Sequence, residues 1–74
     1  MLEITQDGLC YVIEYERPNG SARASALLRS DQSGYWIELT PYGKTHRLGR
    51  RERWQKALYD ALLWLDDELR QREG

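Results

Sequence analysis

The hydrophobic period of this chain changes once, from two residues to about 3.6, and the change falls at Gly49. Ahead of that glycine apolar and polar residues alternate; beyond it apolar residues return at three- and four-residue steps along one stripe. Such a pattern makes a sheet of the first two thirds and a helix of the last third, each burying its apolar side against the other. With 74 residues there is room for one core, so a single domain over 1–74 is expected. The expected class is α+β: a four- or five-stranded antiparallel β-meander with one long C-terminal amphipathic helix packed on one face.

Strands are expected at about 2–5, 9–16, 21–29, 35–40 and 44–48. Leu2 and Ile4 open the first, and Asp7-Gly8 reads as the central pair of a hairpin turn. Leu9, Tyr11, Ile13 and Tyr15 then alternate with Cys10, Val12, Glu14 and Glu16. Pro18 presets φ in the turn Arg17-Pro18-Asn19-Gly20. Ala22, Ala24, Ala26 and Leu28 share a face; alanine favours helix, but strict alternation with Ser21, Arg23 and Ser25 has the wrong period for one. After the turn Ser30-Asp31-Gln32-Ser33-Gly34, Tyr35, Ile37 and Leu39 return to the inner side. Pro41-Tyr42-Gly43 turns the chain again into a short, charged edge strand from Lys44 to Leu48.

The helix is expected over about 50–72, its core stripe formed by Trp54, Ala57, Leu58, Ala61, Leu62, Leu65 and Leu69, with Trp64 at the margin. The alanines of the third strand would then form a shallow trough for Trp54, Leu58, Leu62 and Leu65. A core this small leaves a narrow stability margin, which makes a homodimer the expected state. The single cysteine, Cys10, forms no internal disulfide. Met1–Asp7 has neither a basic nor an apolar leader character, and no apolar run reaches about 18 residues, so a cytoplasmic chain without a membrane segment is expected.

Charge is unevenly placed. Lys44, Arg47, Arg50, Arg51, Arg53 and Lys56 stand against Glu52 alone, so the 44–56 segment carries +5 and the remainder −6 of a net −1. The near-neutral total argues against a general nucleic-acid coat, whose affinity comes largely from phosphate neutralisation. Arg50, Arg51 and Arg53 at the expected helix start oppose the helix dipole, and Asp66, Asp67 and Glu68 do the same near its other end. Amide donors at a helix start, with guanidinium forks beside them, form a site for an anion. Lys44, His46, Arg47, Arg50, Arg51 and Arg53 are therefore the candidate residues for phosphate, a nucleic-acid backbone or acidic side chains. Pairing with Glu38, with Glu52 or with a second subunit is the competing explanation.

Nothing in the pattern assembles a catalytic site, and a non-enzymatic chain without metal or cofactor is expected. Gly43-Lys44-Thr45 matches only the tail of a phosphate-binding loop, whose required upstream glycine is here Glu38. His46 has no companions from which to build a metal site or a triad. Asp66, Asp67 and Glu68 fall near the chain end, where solvated carboxylates are expected.

The sheet face away from the helix has no second helix to cover it. It would display Cys10, Val12, Leu27 and Trp36 inside a rim of Glu14, Glu38, Arg23 and Arg29. Apolar patches of this kind on small domains mark contact surfaces. Val12, Leu27 and Trp36 are thus candidate partner-binding residues, with Tyr59 and Leu63 a smaller pair on the helix back. The function expected is that of a protein-binding module, an accessory or regulatory factor of the kind phages and mobile elements encode, docking a larger partner through the sheet face and the basic helix start. The alternative is nucleic-acid binding by the 44–56 cations, with aromatic stacking by Trp36, Tyr35 or Tyr42.

Overall fold

The computed structural model describes residues 1–18, 22–40, 43–49 and 53–73. Five antiparallel strands follow one another in space as they do in sequence: β1 (Leu2–Asp7), β2 (Cys10–Glu16), β3 (Arg23–Asp31), β4 (Gly34–Thr40) and β5 (Lys44–Gly49). One helix, α1 (Trp54–Glu73), packs on the sheet. Asn19-Gly20-Ser21, Pro41-Tyr42 and Arg50-Arg51-Glu52 lie outside the described residues, and with them the centres of two expected turns and the expected helix start.

Alternation assigns the faces. Ile13, Ala24, Ala26, Leu28, Ile37 and Leu39 are buried with Ala57, Ala61, Leu65 and Leu69 of α1, and Ile4, Tyr11, Tyr15, Ala22 and Tyr35 pack around them. The helix residues deepest in the core are spaced by four, so they form one row facing the sheet. Small residues are buried on both sides of this interface, Ala24 and Ala26 on β3 and Ala57 and Ala61 on α1. The helix backbone therefore comes closest to β3, β4 and β5. Of the residues expected to fill the trough Leu65 is fully buried, whereas Trp54, Leu58 and Leu62 are only partly buried beside the row Ala57, Ala61, Leu65 and Leu69. Leu48 also joins the core. A register shift between Tyr35 and Trp36 gives β5 one extra residue opposite that step, since Trp36 faces Arg47 while Tyr35 faces Gly49.

Three boundaries differ from expectation. The β1–β2 hairpin closes with Asp7 opposite Cys10, so its two loop residues are Gly8 and Leu9 rather than Asp7 and Gly8. Gly8 takes the left-handed φ of +63°, which a leading glycine supplies without a steric penalty. Leu9 thereby leaves the strand and its inner face and stands 96% exposed. Of the expected helix residues ahead of Trp54 only Arg53 is described; it precedes α1, which begins at Trp54, and its carbonyl accepts bonds from the Lys56 and Ala57 amides. Finally, β3 runs on to Asp31, which faces Gly34 across a two-residue turn.

If the paired alanines set the helix–sheet distance, added volume there separates the layers. Ala26→Leu and Ala61→Leu should each lower stability by about 1–3 kcal/mol, measured as a drop in urea or thermal midpoint. Unchanged midpoints in both would mean that the layers do not meet at these residues.

Candidate functional site

The face of the sheet opposite α1 carries Cys10, Val12, Glu14 and Glu16 on β2, Arg23, Ser25, Leu27 and Arg29 on β3, and Trp36, Glu38 and Thr40 on β4, by the same alternation that buries their neighbours. Val12 stands directly opposite Leu27. Trp36 is flanked by arginine on both sides, Arg29 across β3 and Arg47 across β5. Val12, Leu27 and Trp36 are half-buried by their neighbours on the same face. Among the described residues, the only helix lies on the other face.

The arginines beside Trp36 are held in place. The Arg47 guanidinium lies over the Trp36 ring, 5.1 Å from its centroid. It donates to Ser33 Oγ at 2.8 Å and pairs with Asp31 Oδ1 at 3.6 Å. Asp31 in turn accepts from the Ser33 amide and hydroxyl, 2.8 and 2.6 Å away. These two Ser33 bonds, aided by the charge of Arg47, hold the Asp31 carboxyl below its usual range. On the other side Arg29 Nε lies 3.8 Å from Glu38 Oε1. Next to the tryptophan, a hollow of about 280 Å³ is lined by Leu9, Cys10, Arg29, Ser30 and Trp36. Leu9 belongs to this site only because the hairpin turns one residue later than its sequence reads.

The basic segment does not form one surface. Lys44 and His46 project to the helix side of β5, whereas Arg47 projects to the opposite face. Lys44 Nζ bonds both Glu68 oxygens at 2.9 and 3.0 Å, and the His46 ring stacks on Trp64 at 5.1 Å. Arg53 is exposed just ahead of α1, and Arg50 and Arg51 lie outside the described residues. Tyr59 and Leu63, 58% and 56% exposed, share the outer side of α1 as expected from their spacing, far from the Trp36 row, with Lys56 Nζ 5.7 Å from the Tyr59 ring.

The helix carboxylates are not simply solvated. Glu68 is only 8% exposed, because it follows Leu65 by three residues and Ala61 by seven and so shares their side of α1, where Lys44 compensates its charge. Asp66 accepts from the Tyr15 hydroxyl at 2.7 Å and lies 3.2 Å from Arg17 Nε. Together with the Tyr11–Trp54 stack, 4.2 Å between centroids, these contacts tie the helix to β2 on one flank and to β5 on the other. Among the described residues, no group of His, Cys, Asp or Glu converges as a metal site would require, and no helix is long and apolar enough to cross a membrane. Compared with known protein families, with curated proteins and with solved structures, the chain gives no match.

The Asp31 turn yields a pH prediction. Its pKa is lower in the folded chain than in the unfolded one, so its stabilising contribution is complete above the unfolded value and is lost as pH falls through the folded value. A carboxyl-carbon NMR titration should show Asp31 with a midpoint below that of ordinary aspartates, and Ser33→Ala should move it up. A midpoint unaffected by Ser33→Ala would mean that the serine does not hold this carboxylate.

Proposed function

We propose that the chain is a small, non-catalytic protein-binding module whose contact surface is the sheet face opposite α1, centred on Trp36. The observation that carries this reading is the row Arg29–Trp36–Arg47 beside the Leu9–Cys10 hollow, on a face that the helix leaves uncovered. Tryptophan and arginine are the side chains most enriched where binding energy concentrates, and here their own intramolecular contacts pre-order them. The partner that fits is a protein surface presenting an apolar side chain to the hollow and carboxylates to the two guanidinium groups. Those groups retain exposure for it, since side-chain accessibility is 45% at Arg29 and 59% at Arg47.

Nucleic acid fits this face less well. Glu14, Glu16 and Glu38 share it with the arginines, and would repel a polyanion lying across more than one strand. Lys44 and His46 are turned to the helix side.

The test is affinity capture from the host cell, followed by titration of the purified captured protein. Trp36→Ala should weaken its binding by about thirtyfold or more, and Arg29→Glu with Arg47→Glu should abolish it. Tyr59→Ser with Leu63→Ser should leave it unchanged. A captured protein that binds the Trp36 variant as well as wild type would refute this surface. A salt-dependent shift of labelled oligonucleotides, lost in the arginine reversal, would favour the nucleic-acid reading instead.

A further inference from the structure

We infer that β1 is a self-association edge, at which a second copy of the chain adds its own β1 in antiparallel register with Ile4 opposite Ile4. The two edges of this sheet are not alike. At the β5 edge the register is broken by the extra residue, and Lys44, His46 and Arg47 are drawn into contacts with Glu68, Trp64 and Trp36, all features that discourage further pairing. β1 has none of these devices: it pairs with β2 without a shift from Leu2 to Asp7, it contains no proline, and all but Ile4 of its residues are exposed. The helix approaches β3, β4 and β5 and leaves the β1 edge open.

Backbone geometry selects which groups face outward. Met1 and Glu16 exchange both of their backbone hydrogen bonds, each 2.8 Å long. In an antiparallel ladder such pairs alternate, so Glu3, Thr5 and Asp7 also bond to β2, whereas Leu2, Ile4 and Gln6 direct their amides and carbonyls to the open edge. A second β1 must therefore pair these even-numbered residues with their counterparts. Centring on Ile4 sets Leu2 opposite Gln6 and Glu3 opposite Thr5, using every outward donor and acceptor of the strand. Sliding the partner one step either way loses bonds and confronts acids, Glu3 with Glu3 in one direction and Glu3 with Asp7 in the other. One register alone is both complete and free of opposed like charges. The two-fold axis then runs perpendicular to the sheet, both helices lie on one side, and the two Trp36 faces lie side by side on the other.

Sedimentation equilibrium of the full chain, from micromolar to millimolar concentration, tests this directly. Wild type should form a dimer. Thr5→Glu, which places a carboxylate opposite Glu3 twice across the axis, should weaken it by about tenfold or more. Adding Glu3→Lys to Thr5→Glu should restore the dimer, a recovery that loss of folding could not produce. Ile4→Pro, which removes an outward amide that β2 does not use, should give a monomer with an unchanged circular dichroism spectrum. A wild type that stays monomeric throughout, or a dimer indifferent to Thr5→Glu, would overturn the inference. Because none of these substitutions touches the Trp36 row, partner binding by the monomeric variants is a separate result.

Discussion

The packing of α1 over β3, β4 and β5 along its row Ala57, Ala61, Leu65 and Leu69 is the contact on which the rest of this structure depends. Ala57 and Ala61 are buried in one cluster with Ala24 and Ala26 of β3, and Leu65 and Leu69 continue the buried row of the helix. Small side chains let the helix sit low, so one helix of 20 residues seals the inner face by dispersion contacts over a short distance. The larger residues Leu58, Leu62 and Trp64 pack partly buried against this core, and Trp54 stacks on Tyr11 at its margin. With the helix so committed, every residue of opposite parity on the strands is left to the other face.

Polar contacts along the flanks hold the helix in register with the strands below it. Tyr15 and Arg17 meet Asp66 on one flank, and Lys44 meets Glu68 on the other. The Glu68 carboxylate is the more consequential of the two, because it is buried against the core and would be costly there without the ammonium group. Aromatic stacks, Tyr11 on Trp54 and His46 on Trp64, do the same for the planar groups at the margins. These ties consume two of the side chains that the sequence offers as a basic surface, and the basic segment is divided as a result. What remains on the open face is a smaller, ordered group: a tryptophan between two arginines, each anchored by an acid of its own chain. In the proposed contact, side chains pre-ordered in this way would lose little freedom on binding.

Much of this architecture was legible in the residue pattern. The meander order, the inner set Tyr11–Ile13–Tyr15, Ala24–Ala26–Leu28 and Tyr35–Ile37–Leu39, and the helical stripe all follow from periods of two and about 3.6. The strand assignment of the alanine-rich segment was legible too, since alternation outweighed alanine's helical preference. Trp36, Leu27 and Val12 could be placed on the uncovered face for the same reason. Leu9 was misplaced because a one-residue change in where a hairpin turns is invisible to periodicity, and the helix start was misplaced because a run of arginines has no periodic signal of its own.

By itself, then, the sequence determined which residues share a face and which face a single amphipathic helix can cover, because both are set by local backbone repeats. Only the tertiary structure decided the relations across elements. It set Arg29 and Arg47 on either side of Trp36, joined Lys44 to Glu68 and His46 to Trp64, and left the β1 edge open while the register breaks at the β5 edge on the opposite side of the sheet. Each of these depends on strand register and on where along the sheet the helix comes to rest, and those are fixed by contacts between residues far apart in the chain, such as Lys44 with Glu68 and Tyr15 with Asp66.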